Sequence, residues 1–140
     1  MNMEYSISSD KSRLDTATIH DFLCNRSYWA RGRSLEDVAR TIESSVCFGI
    51  YDSNDEMLGF ARAVTDHVAF AYLMDVFVLE EHRGKGLGKA LVEHVVKHPD
   101  LQVWFWLLGT FDAHEMYKKF GFSELSNAGR YMEIRDAARC

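Results

Sequence analysis

Arg83-Gly84-Lys85-Gly86-Leu87-Gly88-Lys89 follows the apolar run Tyr72 to Leu79 and precedes the helix-like run Ala90 to His98, so it reads as a glycine turn between a strand and a helix. That order builds an anion site. The first amides of a helix have no carbonyl partner within it, they lie at the positive end of its dipole, and glycines let a phosphate come close to the backbone. Two better-known phosphate loops fail on spacing. A P-loop needs a glycine five residues before Gly88 and a Ser or Thr after Lys89, but Arg83 and Ala90 stand there. The dinucleotide fingerprint counted from Gly84 and Gly86 puts Lys89 where its third glycine belongs. What remains is Arg-x-x-Gly-x-Gly, with Lys85 and Lys89 adding positive charge.

Two stretches together resemble a known family. Val78-Leu79-Glu80-Glu81-His82-Arg83-Gly84-Lys85-Gly86-Leu87-Gly88 is similar to the pyrophosphate loop, and the strand before it, of the GNAT superfamily of acetyl-CoA-dependent N-acetyltransferases. Ala113-His114-Glu115-Met116-Tyr117-Lys118-Lys119-Phe120-Gly121-Phe122 resembles that family's Ala-x-x-x-Tyr-x-x-x-Gly-Phe helix and turn. The likeness covers roughly residues 72 to 122, and both motifs in the right order make it specific. It implies a mixed α/β GNAT-like acyltransferase fold, a central, mostly antiparallel sheet that splays open, with helices on both faces. It also implies acetyl-CoA as acetyl donor. By resemblance, the pantothenamide arm pairs with the backbone at Phe77 and Val78, and the pyrophosphate falls on Arg83, Gly84, Lys85, Gly86, Leu87, Gly88 and Lys89. One departure is Thr110, where many members carry an asparagine that contacts the cofactor arm and starts the tyrosine helix. Thr110 or Asp112 can still cap that helix.

The 140 residues suit one domain, 1–140, and 47% hydrophobic residues with 13% aromatics suffice for a core. A net charge of −5 argues against a nucleic-acid surface. Cys24, Cys47 and Cys140 are too few and scattered for a disulfide framework and read as reduced thiols. The stretch Met1-Asn2-Met3-Glu4-Tyr5-Ser6 lacks a leader pattern, and no apolar run is long enough to span a membrane, so the expectation is a cytoplasmic protein. His94 and His98, like His20 and Cys24, have helical spacing but no third ligand, and no metal site is expected.

Periodicity divides the chain into an edge strand at Tyr5 to Ser8, helices at Thr16 to Asn25 and after Ser34, and a hairpin. In the second helix Leu35, Val38, Ala39 and Ile42 are spaced to form one buried face. The hairpin runs through Val46 to Tyr51, turns at Asp52 to Glu56, and returns through Leu58 to Val64. A central strand follows at Phe70 to Leu79, then a helix from Gly86 to His98, a strand at Val103 to Leu108, a short helix at Ala113 to Phe120, and a final strand at Tyr131 to Arg135. That last strand, if exposed, offers an edge for a homodimer.

The resemblance assigns Tyr117 as general acid toward the departing thiolate, although a packing role is the plain alternative. Asp75, a carboxylate within an apolar strand, must be paired, neutralised or functional. It is the candidate base, with pairing to Arg62 as the structural alternative; Asp66, His67 and Asp112 stand behind it. Tyr28, Trp29, Arg31 and Arg33 lie in an aromatic and basic connector that the family uses as acceptor wall. The function expected is acetyl transfer to a primary amine of a small molecule or peptide by direct attack. A non-catalytic acyl-CoA-binding module and a phosphate-ligand enzyme of another class stay open. For the acceptor, the arginines favour a carboxylate or phosphate, whereas the overall acidity favours a polyamine or amino sugar.

Overall fold

Asp52 closes the hairpin because its carboxylate accepts the amides of Asn54 and Glu56, while Asp55 takes a left-handed conformation with φ of 61°. The two arms are β2 (Val46–Tyr51) and β3 (Met57–Thr65). A computed structural model, which describes residues 4–138, adds β1 (Ser6–Ser8), β4 (Phe70–Val78) and β5 (Phe105–Leu108) to give one sheet in the order β1-β2-β3-β4-β5. Every pairing is antiparallel except β4 with β5. A parallel neighbour needs a crossover, and α3 (Leu87–Lys97) provides it. The first three residues of the N-terminal stretch and Cys140 lie outside the described residues.

The sheet is covered on both faces, so β2 is buried along nearly its whole length despite its alternating sequence. On one face Phe48, Ile50, Leu58 and Leu73 pack against Leu87, Leu91, Val92 and Val95 of α3. On the other, Cys47, Tyr51, Phe60 and Phe77 meet Ile19, Phe22 and Leu23, together with Val38 and Ile42. Those residues come from α1 (Thr16–Asp21), the π-helical turn Phe22–Arg26 that extends it, and α2 (Leu35–Glu43). Asp15 and Ser34 cap the two helices through Thr18 N and Asp37 N. Burial pushes the Cys47 thiol up to about 11, which leaves it an inert core group.

Strand β4 changes phase midway. Phe60 pairs with Phe77 and Arg62 with Met74, so Asp75 and Val76 together oppose the single residue Ala61. This is a β-bulge, and Asp75 occupies it with φ of 54°. Leu73 therefore faces α3 while Phe77, four residues later, faces α1. The pairing of β4 with β5 ends at Leu73 and Leu108, immediately before the bulge. Residues 74–78 thus have no strand partner on that side among the described residues, and the sheet splays there.

Two expectations are corrected. No strand follows β5 among the described residues; residues 131–136 are irregular, with Met132 and Ile134 fully exposed. Their short apolar alternation is interrupted by Glu133 and Arg135, which pair with each other, and no tight turn returns them to the sheet. The predicted edge for a dimer is accordingly absent, and β5 forms that margin of the sheet. In α2, Val38 and Ile42 are buried, but Leu35 is about half exposed and Ala39 is exposed, because only the narrow stripe through Val38 and Ile42, one turn apart, meets the sheet.

Gly59 lies where β3 and β4 run closest. A Cβ there would stand 2.6 Å from the Phe77 carbonyl oxygen and 3.1 Å from Ile50 Cγ2. Gly59→Ala is expected to destabilise the fold by about 1–3 kcal/mol, seen as a lower urea midpoint with an unchanged slope.

Candidate functional site

The glycine loop adopts the conformation its residues permit. Gly84 and Gly86 have φ of 80° and 79°, a region costly for other residues, and Gly86 is the residue from which α3 springs. The first main-chain bond of α3 runs from Ala90 N to Gly86 O, so the amides of Leu87, Gly88 and Lys89 have no acceptor inside the helix. A Cβ added at Gly84 or Gly86 would meet nothing within 4 Å, so the space outside the loop is open. Arg83, Lys85 and Lys89 are exposed around it. Exposed amides, a helix dipole and three cations are a fit for the diphosphate of a nucleotide-bearing cofactor.

The loop hangs from the unpaired end of β4. Leu79 N donates to Leu58 O at 2.8 Å, and antiparallel alternation then turns the main-chain groups of Phe77 toward β3 and those of Val78 toward the splayed side. The carbonyl of Val78 accepts from Arg83 Nε at 3.1 Å, which ties the loop to the strand. Phe77 serves the core instead, its ring stacked on Phe22 at a centroid distance of 4.0 Å. The two neighbouring positions thus divide their roles: Val78 presents backbone to the opening, and Phe77 anchors the strand from behind.

Asp75 sits beneath the connector between α1 and α2. Its Oδ1 accepts from Trp29 Nε1 at 2.9 Å, and its Oδ2 accepts from Arg33 Nη1 at 2.7 Å and Arg62 Nε at 2.9 Å. Arg62 spends its other donors on Ser45 Oγ and Met74 Sδ. Burial opposes ionisation of Asp75, but the two guanidiniums outweigh it and hold the carboxyl below the usual range. Pairing with Arg62, the structural alternative, is therefore present, joined by Trp29 and Arg33 of the connector.

Tyr117 lies on α4 (His114–Lys118), separated from the end of β5 by five residues. Its ring packs edge-on against Phe122, and burial, with a smaller effect of Tyr28, pushes its hydroxyl up to about 12. It stays protonated throughout the neutral range. Thr110 accepts from Ala113 N at 3.1 Å and shapes the turn before α4. Tyr28 reaches the same turn, where its hydroxyl accepts from Phe111 N at 3.2 Å. The connector, the bulge and the tyrosine helix consequently meet around the mouth of the splayed sheet.

Residues 43–124 match the family model described as Acetyltransferase (GNAT) domain. The chain belongs to the GNAT acetyltransferase family. A provisionally assigned GNAT acetyltransferase from Xanthomonas campestris, solved as a crystal structure, is 40% identical, covers 97% of this chain and 96% of its own, and superimposes with a TM-score of 0.93. A provisionally assigned acetyltransferase of Gibberella zeae is 28% identical over 86% of this chain and 80% of its own. One from Deinococcus radiodurans, 18% identical with a TM-score of 0.74 over 96% of this chain and 93% of its own, shares the fold.

Within this GNAT chain the remaining candidates fall away from the opening. Asp66 accepts the amides of Val68, Ala69 and Phe70 in the β3–β4 turn, at the end of β4 opposite the glycine loop. His67 contacts the carbonyl of Asp100 in that region, and Asp112 is exposed. Arg31 is exposed on the connector, two residues before Arg33. Sequence reading missed Phe111, which gave no signal because a lone aromatic in a loop has no periodicity. It also missed Ser45, whose link to Arg62 arises only when β2 and β3 pair. No helix among the described residues is long and apolar enough to cross a membrane.

Removing the carboxylate strands two buried cations. Asp75→Asn should cost about 3–5 kcal/mol at pH 7. Because the folded carboxyl titrates below its unfolded value, its stabilisation is complete above about pH 4 and fades as pH falls toward the folded value. The gap between wild type and Asp75→Asn, measured by urea unfolding across the acid range, should therefore narrow below about pH 4.

Proposed function

We propose that residues 1–140 work as one N-acetyltransferase domain that moves an acetyl group from acetyl-CoA to a primary amine of a small molecule or peptide. The observation that carries this reading is a left-handed glycine loop at the end of a strand whose outer edge is unpaired, with Tyr117 on the helix beside the opening. A diphosphate suits the amides of residues 83–89, and an amide-bearing arm suits the main-chain N–H of Val78, whose carbonyl is already taken by Arg83.

Acetyl-CoA supplies an activated thioester; the other requirements fall on the chain. A free amine must lose a proton before it attacks, and for a lysine-like group of pKa about 10.4 that costs about 4.6 kcal/mol at pH 7, at about 1.36 kcal/mol per unit. The connector Tyr28 to Arg33 and the strand edge would offset this by holding the two reactants together. The amide of Val78 is the donor best placed for charge developing on a carbonyl oxygen, an effect that contributes about 3 kcal/mol where it operates. Tyr117, protonated and shielded, is suited to give its proton to a departing thiolate.

Asp75 is better suited to positioning than to proton abstraction. A carboxylate already accepting three hydrogen bonds, and held ionised by two arginines, is a weak base with few free lone pairs. We therefore assign the amine proton to solvent and Asp75 to the support of Trp29 and Arg33.

Tyr117→Phe tests the acid. Its kcat should fall about 10²-fold or more, while acetyl-CoA affinity measured by calorimetry stays within about twofold. Unchanged kcat would reduce Tyr117 to a packing residue, and failure of wild type to bind acetyl-CoA would remove the reading altogether. Binding without turnover across an amine panel would indicate a non-catalytic acyl-CoA module.

A further inference from the structure

The charge balance beside the opening is uneven. One carboxylate, Asp75, lies between two guanidiniums, Arg33 and Arg62, whose side chains are only 19% and 6% exposed. Arg62 is fully engaged: its Nε bonds Asp75, its Nη1 bonds Ser45 and its Nη2 meets Met74. Arg33 makes one bond, through Nη1 to Asp75, and its Nε and Nη2 have no hydrogen-bond partner among the described residues. The cluster thus holds one positive charge beyond what Asp75 neutralises, and the unused donors of Arg33 reach solvent. A cation in that condition gains most from an anionic partner that can accept two parallel N–H bonds. Arg31, exposed two residues earlier, extends the positive field. The local sign is opposite to the net charge of −5 for the whole chain.

Three aromatic rings lie beside this charge. Tyr28 meets Trp29 edge-on at 5.1 Å and Phe111 edge-on at 6.1 Å. All three are large and open, at 60%, 39% and 84% exposure, and two of them are held in place. Trp29 is pinned by its indole N–H on Asp75, and Tyr28 by its hydroxyl on the Phe111 amide. The same carboxylate therefore orients a ring and a guanidinium toward one region. Fixed rings on a surface favour a flat or apolar partner.

We infer that the acceptor amine carries a compact anionic group, a carboxylate or a phosphate, received by Arg33, next to a portion that lies on Tyr28, Trp29 and Phe111. This deepens the acetyltransferase reading and rests on it. It favours the arginines over the overall acidity, because the excess charge beside Asp75 is local and fixed by the carboxylate, whereas the acidity of the chain is spread over its surface. A polyamine would be repelled there.

Matched ligands separate the two anion sources from each other and from a cation. Binding of L-phenylalanine against phenethylamine, phosphoethanolamine against ethanolamine, and spermidine is measured by calorimetry in the presence of coenzyme A, so that the result does not depend on turnover. At least one amine bearing the acid group should bind about 10- to 100-fold more tightly than its partner lacking it, and spermidine should bind more weakly than that amine. The pair that shows the larger ratio identifies carboxylate or phosphate. Arg33→Gln should reduce the ratio to within about threefold, Arg33→Lys should restore part of it, and the salt-sensitive remainder should fall with Arg31→Gln. Thermal unfolding of each variant and its affinity for acetyl-CoA report whether the fold and donor site persist. Ratios near one for both wild-type pairs overturn the inference, as does a ratio that Arg33→Gln leaves in place. Loss of acetyl-CoA binding in wild type would instead strike the donor site, and the amine ratios would still judge Arg33.

Discussion

The Asp75 carboxylate, buried in a β-bulge and held by Trp29, Arg33 and Arg62, is the interaction on which the rest of the site depends. It acts on two levels. In the sheet, the extra residue at 75–76 re-phases β4, so that Leu73 faces α3 before the bulge whereas Phe77, four residues on, faces α1 and its neighbours Val76 and Val78 face α3. Above the sheet, the carboxylate draws down the connector between α1 and α2. A bulge that bends a strand away from its neighbour and a charge that attracts the loop over it are the same residue.

The splayed opening follows from that geometry. Parallel pairing of β4 with β5 stops at Leu73, one residue before the strand changes direction, and backbone groups beyond it have no strand partner on that side. The glycine loop then turns sharply into α3, whose leading amides point out of the fold because Gly84 and Gly86 accept a left-handed backbone. Core packing is what keeps this arrangement open. Phe77 is stacked on Phe22 on one face, and Val78 packs against the α3 core on the other, so the strand cannot relax toward β5 without losing both contacts.

The glycine loop, the tyrosine helix, the hairpin and the caps at Ser34 and Asp52 were legible because each is written in neighbouring residues. Their physical signals are a backbone angle that only glycine tolerates well, a side-chain oxygen near a free amide, and alternation on a half-buried strand. The same kind of signal misled at Tyr131 to Arg135, where alternation is present but no neighbouring strand receives it. It also misled at Leu35, whose spacing fits the buried face of α2 although the first turn of that helix overhangs the sheet. Asp75 was visible as a misfit in an apolar strand, and Arg62 as one answer to it. The convergence of Trp29 and Arg33 on the same carboxylate, across more than forty residues of chain, was not visible.

By itself the sequence determined the family, through two motifs whose spacing encodes local backbone geometry and helix amphipathicity. It also determined the order of most elements, since hydrophobic period and turn chemistry act over a few residues. Only the tertiary structure decided where the sheet opens, which side chains neutralise Asp75, and which arginine retains donors to spare. These are outcomes of strand register and of charge balance inside a shared, weakly hydrated space, and both arise from residues that are distant in the chain and become neighbours only when the sheet is assembled.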